Sequence, residues 1–213
     1  MTAFRNRFFR ALAAGLLWAG AAHAAADREP LLLGDDERLL VLAAHPDDET
    51  LAAGGLIQEA RALDLPVRAC FFTMGDNNEL AALFTRRHPA LAPGPLRASG
   101  QLRQNEALAA ATRLGLTAAD VVFLGYPDSG TLAIWTHHWQ TAPPYRSPLT
   151  RANAVPYDSA LTPGSAYAGE DVLDDLVDVI RDFRPTHLVL PHPADHNADH
   201  RALYLFARVA LWN

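Results

Sequence analysis

Apolar and polar positions alternate along the chain in blocks. Residues 38–44 form a Leu/Val-rich run suited to a strand buried on both faces. Residues 51–63 switch to helical spacing, with Leu51, Leu56, Ile57 and Ala60 able to share a face. A second strand is predicted over 67–74, closed by the turn sequence Gly75-Asp76-Asn77-Asn78. A polar, proline-rich stretch over 88–99 leads to a predicted helix over 102–114, stopped by Gly115. A short strand over 121–124 runs into Gly125-Tyr126-Pro127-Asp128-Ser129-Gly130, and residues 131–167 carry no sustained period. A helix over 171–183, a strand over 186–190 and a helix over 199–212 follow. Strands alternating with helices predict an α/β fold, a mostly parallel sheet with helices on both faces.

The first 24 residues depart from this rhythm. Arg5, Arg7 and Arg10 precede an apolar run over 11–22, and Ala22-His23-Ala24 places small residues at a cleavage position. This pattern predicts a removed signal peptide over 1–24, a lead-in over 25–37 and one domain over 38–213, exported to the periplasm or the exterior. The run is too short for a membrane span, and no stable span is expected after its removal. The helical pattern is still running at Asn213, so a domain shortened at its C-terminus is expected; the sequence does not indicate an oligomeric state.

Composition narrows the chemistry. The formal charge of −6 becomes −9 once the three leading arginines are removed, an unfavourable balance for a nucleic-acid partner. All 18 basic residues are arginine, which excludes lysine Schiff bases, lysine nucleophiles and Walker-type phosphate loops. Cys70 is the one cysteine, so no internal disulfide forms; its place in an apolar strand marks it as a core thiol.

Two polar clusters follow two predicted strands. His45-Pro46-Asp47-Asp48-Glu49 ends the first, and His192-Pro-Ala-Asp195-His196-Asn197-Ala-Asp199-His200 ends the last. Open α/β sheets bind ligands at the carboxyl ends of their strands, where the two clusters can supply His, Asp and His to one divalent ion. Three protein ligands with a position left for water describe a catalytic zinc; mixed nitrogen and oxygen donors also suit iron, cobalt or nickel. On the first cluster alone, a helix cap competes with this reading. His137 and His138 have no motif support and are read as structural, and Trp135 and Trp139 as a packed pair or a wall for a sugar ring.

The His-Pro-Asp-Asp-Glu run resembles the signature of the PIG-L, or LmbE-like, family of zinc-dependent de-N-acetylases. Three further motifs match in order: Arg103-Gln-Asn-Glu106 with Leu114-Gly115, Gly125-Tyr-Pro-Asp128, and Asn197-Ala-Asp199-His200. The resemblance spans roughly residues 38–208 and implies an LmbE-like, Rossmann-like three-layer fold. It further implies His45, Asp48 and His200 as zinc ligands, Asp47 as general base, Arg103 and Asp128 as sugar contacts, and Glu49 as support for the site. The implied reaction removes an N-acetyl group from an amino-sugar glycan or glycoconjugate, with activated water as nucleophile.

One position departs from the family pattern. Asn197 stands where many members carry a histidine, and an amide cannot be a general acid, although it can donate a hydrogen bond to an oxyanion. His196, and beside it His192, are the nearby candidates for that role; failing them, Asp47 carries the proton to the amine. Two alternatives stay open: hydrolysis of another small N-acyl amide, since the Arg103 guanidinium suits a carboxylate as well as sugar oxygens, and, permitted by Asn197, a metal-dependent glycan-binding protein without turnover.

Overall fold

The computed structural model describes residues 31, 33–77 and 93–212. The segment read as a signal peptide, most of the lead-in, Asn78, the first part of the proline-rich stretch and the terminal Asn213 lie outside the described residues. From Gly34 onward the chain forms one compact unit.

Four parallel strands make the sheet: β1 (Leu39–Ala43), β2 (Val67–Thr73), β3 (Val121–Tyr126) and β4 (His187–Val189), in the order β3-β2-β1-β4. All five residues of β1 are buried, as the uninterrupted apolar run requires of a strand covered on both faces. The chain steps outward from β1 to β2 to β3, then returns past β1 to place β4 on its other side. Because parallel crossovers keep one hand, that reversal puts helices on opposite faces and opens a crevice at the carboxyl ends of β1 and β4. The two polar clusters sit there.

Helix α1 (Asp48–Ala62) begins three residues earlier than its apolar spacing predicts. The backbone folds directly from β1 into the helix, with Leu51 N–H donating to Asp47 O at 2.9 Å. Helix α2 (Pro93–Arg113) also starts earlier, reaching back into the proline-rich stretch. Proline has a fixed φ and no N–H to lose in a first turn, so Pro93 and Pro95 are compatible with a helix start.

Within the stretch that lacks a period, α3 (Thr131–His137) is helical. Its Trp135 and the following Trp139 lie against Phe206 of the last helix, at 4.9 and 5.7 Å between ring centroids, and against each other at 5.5 Å. The two tryptophans are thus a packing cluster. Helix α4 (Gly169–Phe183) buries Val172, Leu176, Val179 and Phe183 along one stripe, and α5 (Ala198–Ala210) buries Ala202, Leu203, Phe206 and Ala210. Cys70 is fully buried in β2, and burial pushes its thiol up to about 12, as expected of an inert core thiol. Among the described residues no helix is long and apolar enough to cross a membrane.

Candidate metal centre

The turn from β1 into α1 carries the first half of the site. Thr73 in β2 anchors the end of β1, its N–H and Oγ1 both donating to Ala44 O at 3.0 Å. His45 follows, and its N–H donates to Asp48 Oδ2 at 2.9 Å. Asp47 occupies the cap position of α1 with φ 126° and makes no capping bond with its side chain. A residue with a Cβ at such a φ is strained and is retained only where its surroundings enforce it. Here they do: Asp47 N–H donates to Oε2 of the buried Glu49 at 3.0 Å, and Thr50 Oγ1 donates to Glu49 Oε1 at 2.6 Å. Glu49 therefore props up the turn that presents Asp47.

The Asp47 carboxylate meets Arg103 of α2, whose Nη2 lies 3.1 Å from Asp47 Oδ2. The same guanidinium donates to Pro46 O at 2.5 Å and to Gly75 O at 3.1 Å. Gly75, at φ +63°, is essential to this arrangement, because a Cβ on it would run into the Arg103 guanidinium. Read in the sequence only as a turn residue, Gly75 turns out to be the floor on which Arg103 rests. Burial raises the Asp47 pKa above the ordinary carboxylate range, against the lowering pull of the Arg103 charge.

The second half comes from the β4–α5 connection. His200 Nε2 lies 3.2 Å from Asp48 Oδ2, and its Nδ1 lies 3.0 Å from Asp195 Oδ2. The His45 and His200 rings stand 5.3 Å apart between centroids. One donor atom each from His45, Asp48 and His200 falls within 4.8 Å of the others, so residues 155 positions apart in the chain converge as the two clusters suggest. Two imidazole nitrogens and one carboxylate oxygen form a donor set that suits zinc and other divalent transition metals.

A second group shares His45. Its Nε2 lies 3.2 Å from Asp199 Oδ2 and 3.6 Å from Asp128 Oδ1. Burial works to lower the His45 pKa, but its contacts with Asp128, Asp199 and Asp48 outweigh that and raise it to about 11. The imidazole thus holds a proton tightly unless another cation takes its place. Asp128 is half-buried, accepts from Asn77 N–H at 3.1 Å and from Ser129 Oγ at 3.2 Å, and faces His45. Burial works to raise its pKa, and its contact with His45 more than reverses that, leaving the carboxyl below the usual range.

Asp199, to which no motif assigns a role, is almost wholly buried and joins His45 to the loop after β3. Ser129 and Thr131 lie about 70 residues away in sequence and His45 154, so no local pattern signals the link.

The remaining candidates lie toward solvent. Asn197 caps α5, its side-chain oxygen accepting from Asp199 N–H at 2.8 Å. His192 and His196 are exposed on the connecting loop, and His192 Nδ1 accepts from Ala194 N–H at 3.1 Å. His138 Nδ1 lies 2.6 Å from Pro143 O and its ring packs on Tyr145, while His137 is exposed at the end of α3. A cavity of about 430 Å³ opens beside Asp47 and Arg103, walled by Leu51, Glu106, Ala107 and Ala110.

Residues 40–211 match the family described as GlcNAc-PI de-N-acetylase, PIG-L. A 1D-myo-inositol 2-acetamido-2-deoxy-alpha-D-glucopyranoside deacetylase from Saccharopolyspora erythraea is 33% identical over 169 residues, which is 76% of this chain and 48% of that protein. The N,N'-diacetylchitobiose deacetylase of Pyrococcus horikoshii superposes with a TM-score of 0.55 at 19% identity, over 84% of this chain and 50% of the other. GalB, the 4-carboxy-2-hydroxymuconate hydratase of Pseudomonas putida, gives 0.54 at 21% identity, over 82% and 55%. The chain spans about half the length of the curated relatives it matches. At these identities the structural matches speak for the LmbE-like fold, which carries more than one chemistry.

Proposed function

The chain belongs to the GlcNAc-PI de-N-acetylase (PIG-L) family, and on that premise we propose that it is a metal-dependent amidohydrolase that removes the N-acetyl group from an amino-sugar substrate. One observation carries the reading. Asp47 stands next to the His45–Asp48–His200 group without belonging to it, in a strained backbone conformation, its carboxylate making no capping bond and steered by Arg103. A helix start alone has no use for a carboxylate held in that way.

In this reading His45, Asp48 and His200 hold zinc, which when bound polarises an amide carbonyl and lowers the pKa of water. Asp47 accepts the proton of the attacking water. Asp47 then passes that proton to the leaving amine, a transfer in the direction its raised pKa favours over that of an ordinary carboxylate. That route needs no histidine at position 197. Arg103 holds the Asp47 carboxylate through Nη2 and is itself held by two backbone carbonyls. Arg103 and Asp128 remain the proposed sugar contacts, Arg103 from the rim of the cavity beside Asp47. Export is proposed with the activity, on the arginine-flanked apolar run and small-residue cleavage pattern of residues 1–24.

The test is acetate release by the purified, zinc-supplied chain from N-acetylglucosaminyl-inositol, N,N'-diacetylchitobiose and N-acetylglucosamine. Turnover of at least one is expected, lost on chelation and restored by zinc. Asp47→Asn should lower kcat by roughly 10²–10⁴-fold while zinc content stays at the wild-type level. A zinc-loaded chain that leaves every N-acetyl sugar intact sinks the proposal, as does an Asp47→Asn variant of undiminished activity.

A further inference from the structure

His45, Asp48 and His200 leave each imidazole with one ring nitrogen directed away from Asp48. For His45 the inner atom is Nδ1, 3.6 Å from Asp48 Oδ2, and the outer atom is Nε2, 3.2 Å from Asp199 Oδ2. For His200 the inner atom is Nε2, 3.2 Å from Asp48 Oδ2, and the outer atom is Nδ1, 3.0 Å from Asp195 Oδ2. The two histidines use opposite nitrogens, yet each outer nitrogen meets a carboxylate, His45 Nε2 having Asp199 nearest and Asp128 Oδ1 beyond it at 3.6 Å. We propose that Asp199 and Asp195 are positioning residues that fix these rings and their tautomers for metal binding; the inference rests on the metal reading above.

A carboxylate accepts and does not donate, so the ring nitrogen facing it carries the hydrogen. A neutral imidazole with its hydrogen on the outer nitrogen presents a lone pair on the inner one. Asp199 thus selects Nε2–H for His45, and Asp195 selects Nδ1–H for His200. Such outer carboxylates orient metal-bound histidines, and their removal costs 10–100-fold in metal affinity.

The bonds of Asp199 also decide what the second group of acidic residues is for. His45, Asp128 and Asp199 lie close enough together to be considered as a cation site of their own. However, Asp199 Oδ2 already accepts from His45 Nε2 at 3.2 Å and Ser129 N–H at 2.6 Å. Its Oδ1 accepts from Thr131 N–H at 3.2 Å and Thr131 Oγ1 at 2.5 Å. These bonds fill the roughly four lone-pair positions of a carboxylate, leaving none for an ion. The second group is therefore the support of the first.

Asp195 is differently placed, one-third exposed, with Oδ1 accepting from Asn197 N–H at 2.8 Å and Oδ2 turned to His200. It ties the ligand to the loop that precedes α5, and its removal leaves no buried group unpaired.

Zinc affinity of the full chain, measured by competition with a chromophoric chelator, tests the proposal. Asp195→Ala and Asp199→Asn should each bind zinc 10–100-fold more weakly than wild type. Asp195→Asn, which keeps an acceptor oxygen, should fall between Asp195→Ala and wild type. Because Asp199 also anchors the loop after β3, its variant can lose folding stability for reasons unrelated to zinc. Asp195→Ala supplies the clean case, with zinc-free melting at the wild-type temperature and zinc affinity reduced. Wild-type chain that binds no zinc overturns both this inference and the reading it rests on. Wild-type binding matched by unchanged affinity in Asp195→Ala overturns the inference for Asp195 and leaves the metal reading standing.

Discussion

His45 leaves a strand whose residues are all buried and which is paired on both sides, by β2 and by β4. His200 instead stands in the first turn of α5, reached through residues 190–197, every one of them exposed or half-exposed. The strand behind it has three residues against five in β1, none of them fully buried. One arm of the centre springs from a buried strand, although it ends in the exposed Asp47, and the other is carried on a loop at the surface. The difference suggests a division of labour: the β1–α1 arm pre-organises the base and one imidazole, and the β4–α5 arm supplies the second imidazole.

Replacing the two histidines separates the arms most sharply. Either His45→Ala or His200→Ala should weaken zinc binding by more than the roughly 100-fold that outer partners cost. Only His45→Ala should also destabilise the zinc-free protein, because it leaves the buried carboxylate of Asp199 and the half-buried one of Asp128 without their cationic partner. Thermal melting under chelation reads the difference, and equal melting of the two variants would remove the proposed asymmetry.

Gly75→Ala probes the core arm without touching a ligand. It forces a Cβ into the Arg103 guanidinium and strains a positive φ, costing on the order of 1–2 kcal/mol of stability. With Arg103 displaced, Asp47 loses its orienting partner, and kcat should fall by about tenfold or more while zinc affinity is kept. A variant with full activity would show that Arg103 does not steer the base.

The arms also differ in how much of them could be read from sequence. All four strands appear in the predicted order, because a strand buried on both faces writes a continuous apolar run. The centre itself was traceable because its ligands come in two short clusters at strand ends. The start of α2 was obscured by prolines that a first helical turn tolerates, and α3, at seven residues, is too short to display a period. Asp199 and Gly75 were missed for a different reason. Their roles depend on partners far away in the chain, Ser129 and Thr131 for Asp199 and Arg103 for Gly75, and tertiary contacts of that kind leave no local periodicity.

The pH profile sharpens the assignment of the base. Asp47 must be ionised to accept a proton, so activity should fall as pH drops through a pKa that burial has raised. Arg103 holds that pKa down relative to burial alone, and Arg103→Met removes the restraint. The acid limb of kcat should therefore move to higher pH in the variant, alongside the loss in rate. A limb that stays in place, or moves to lower pH, would detach the acid limb from Asp47.

The smallest effect is expected on the surface arm, at His196. Its side chain is exposed on the loop before α5, while the base it would have to complement sits across the centre on the β1–α1 turn. A general acid contributes on the order of 10²–10⁴-fold, and a histidine in that role adds a basic limb to the pH profile as the imidazolium is lost. If Asp47 returns the proton, neither signature depends on His196: His196→Ala should change kcat by less than about threefold and leave the basic side of the profile as in wild type. A hundredfold loss, with the basic limb abolished, would place the proton donor on the surface arm and reduce Asp47 to a base alone. The centre would then need its exposed loop for chemistry as well as for a ligand, and the division between the two arms would have to be redrawn.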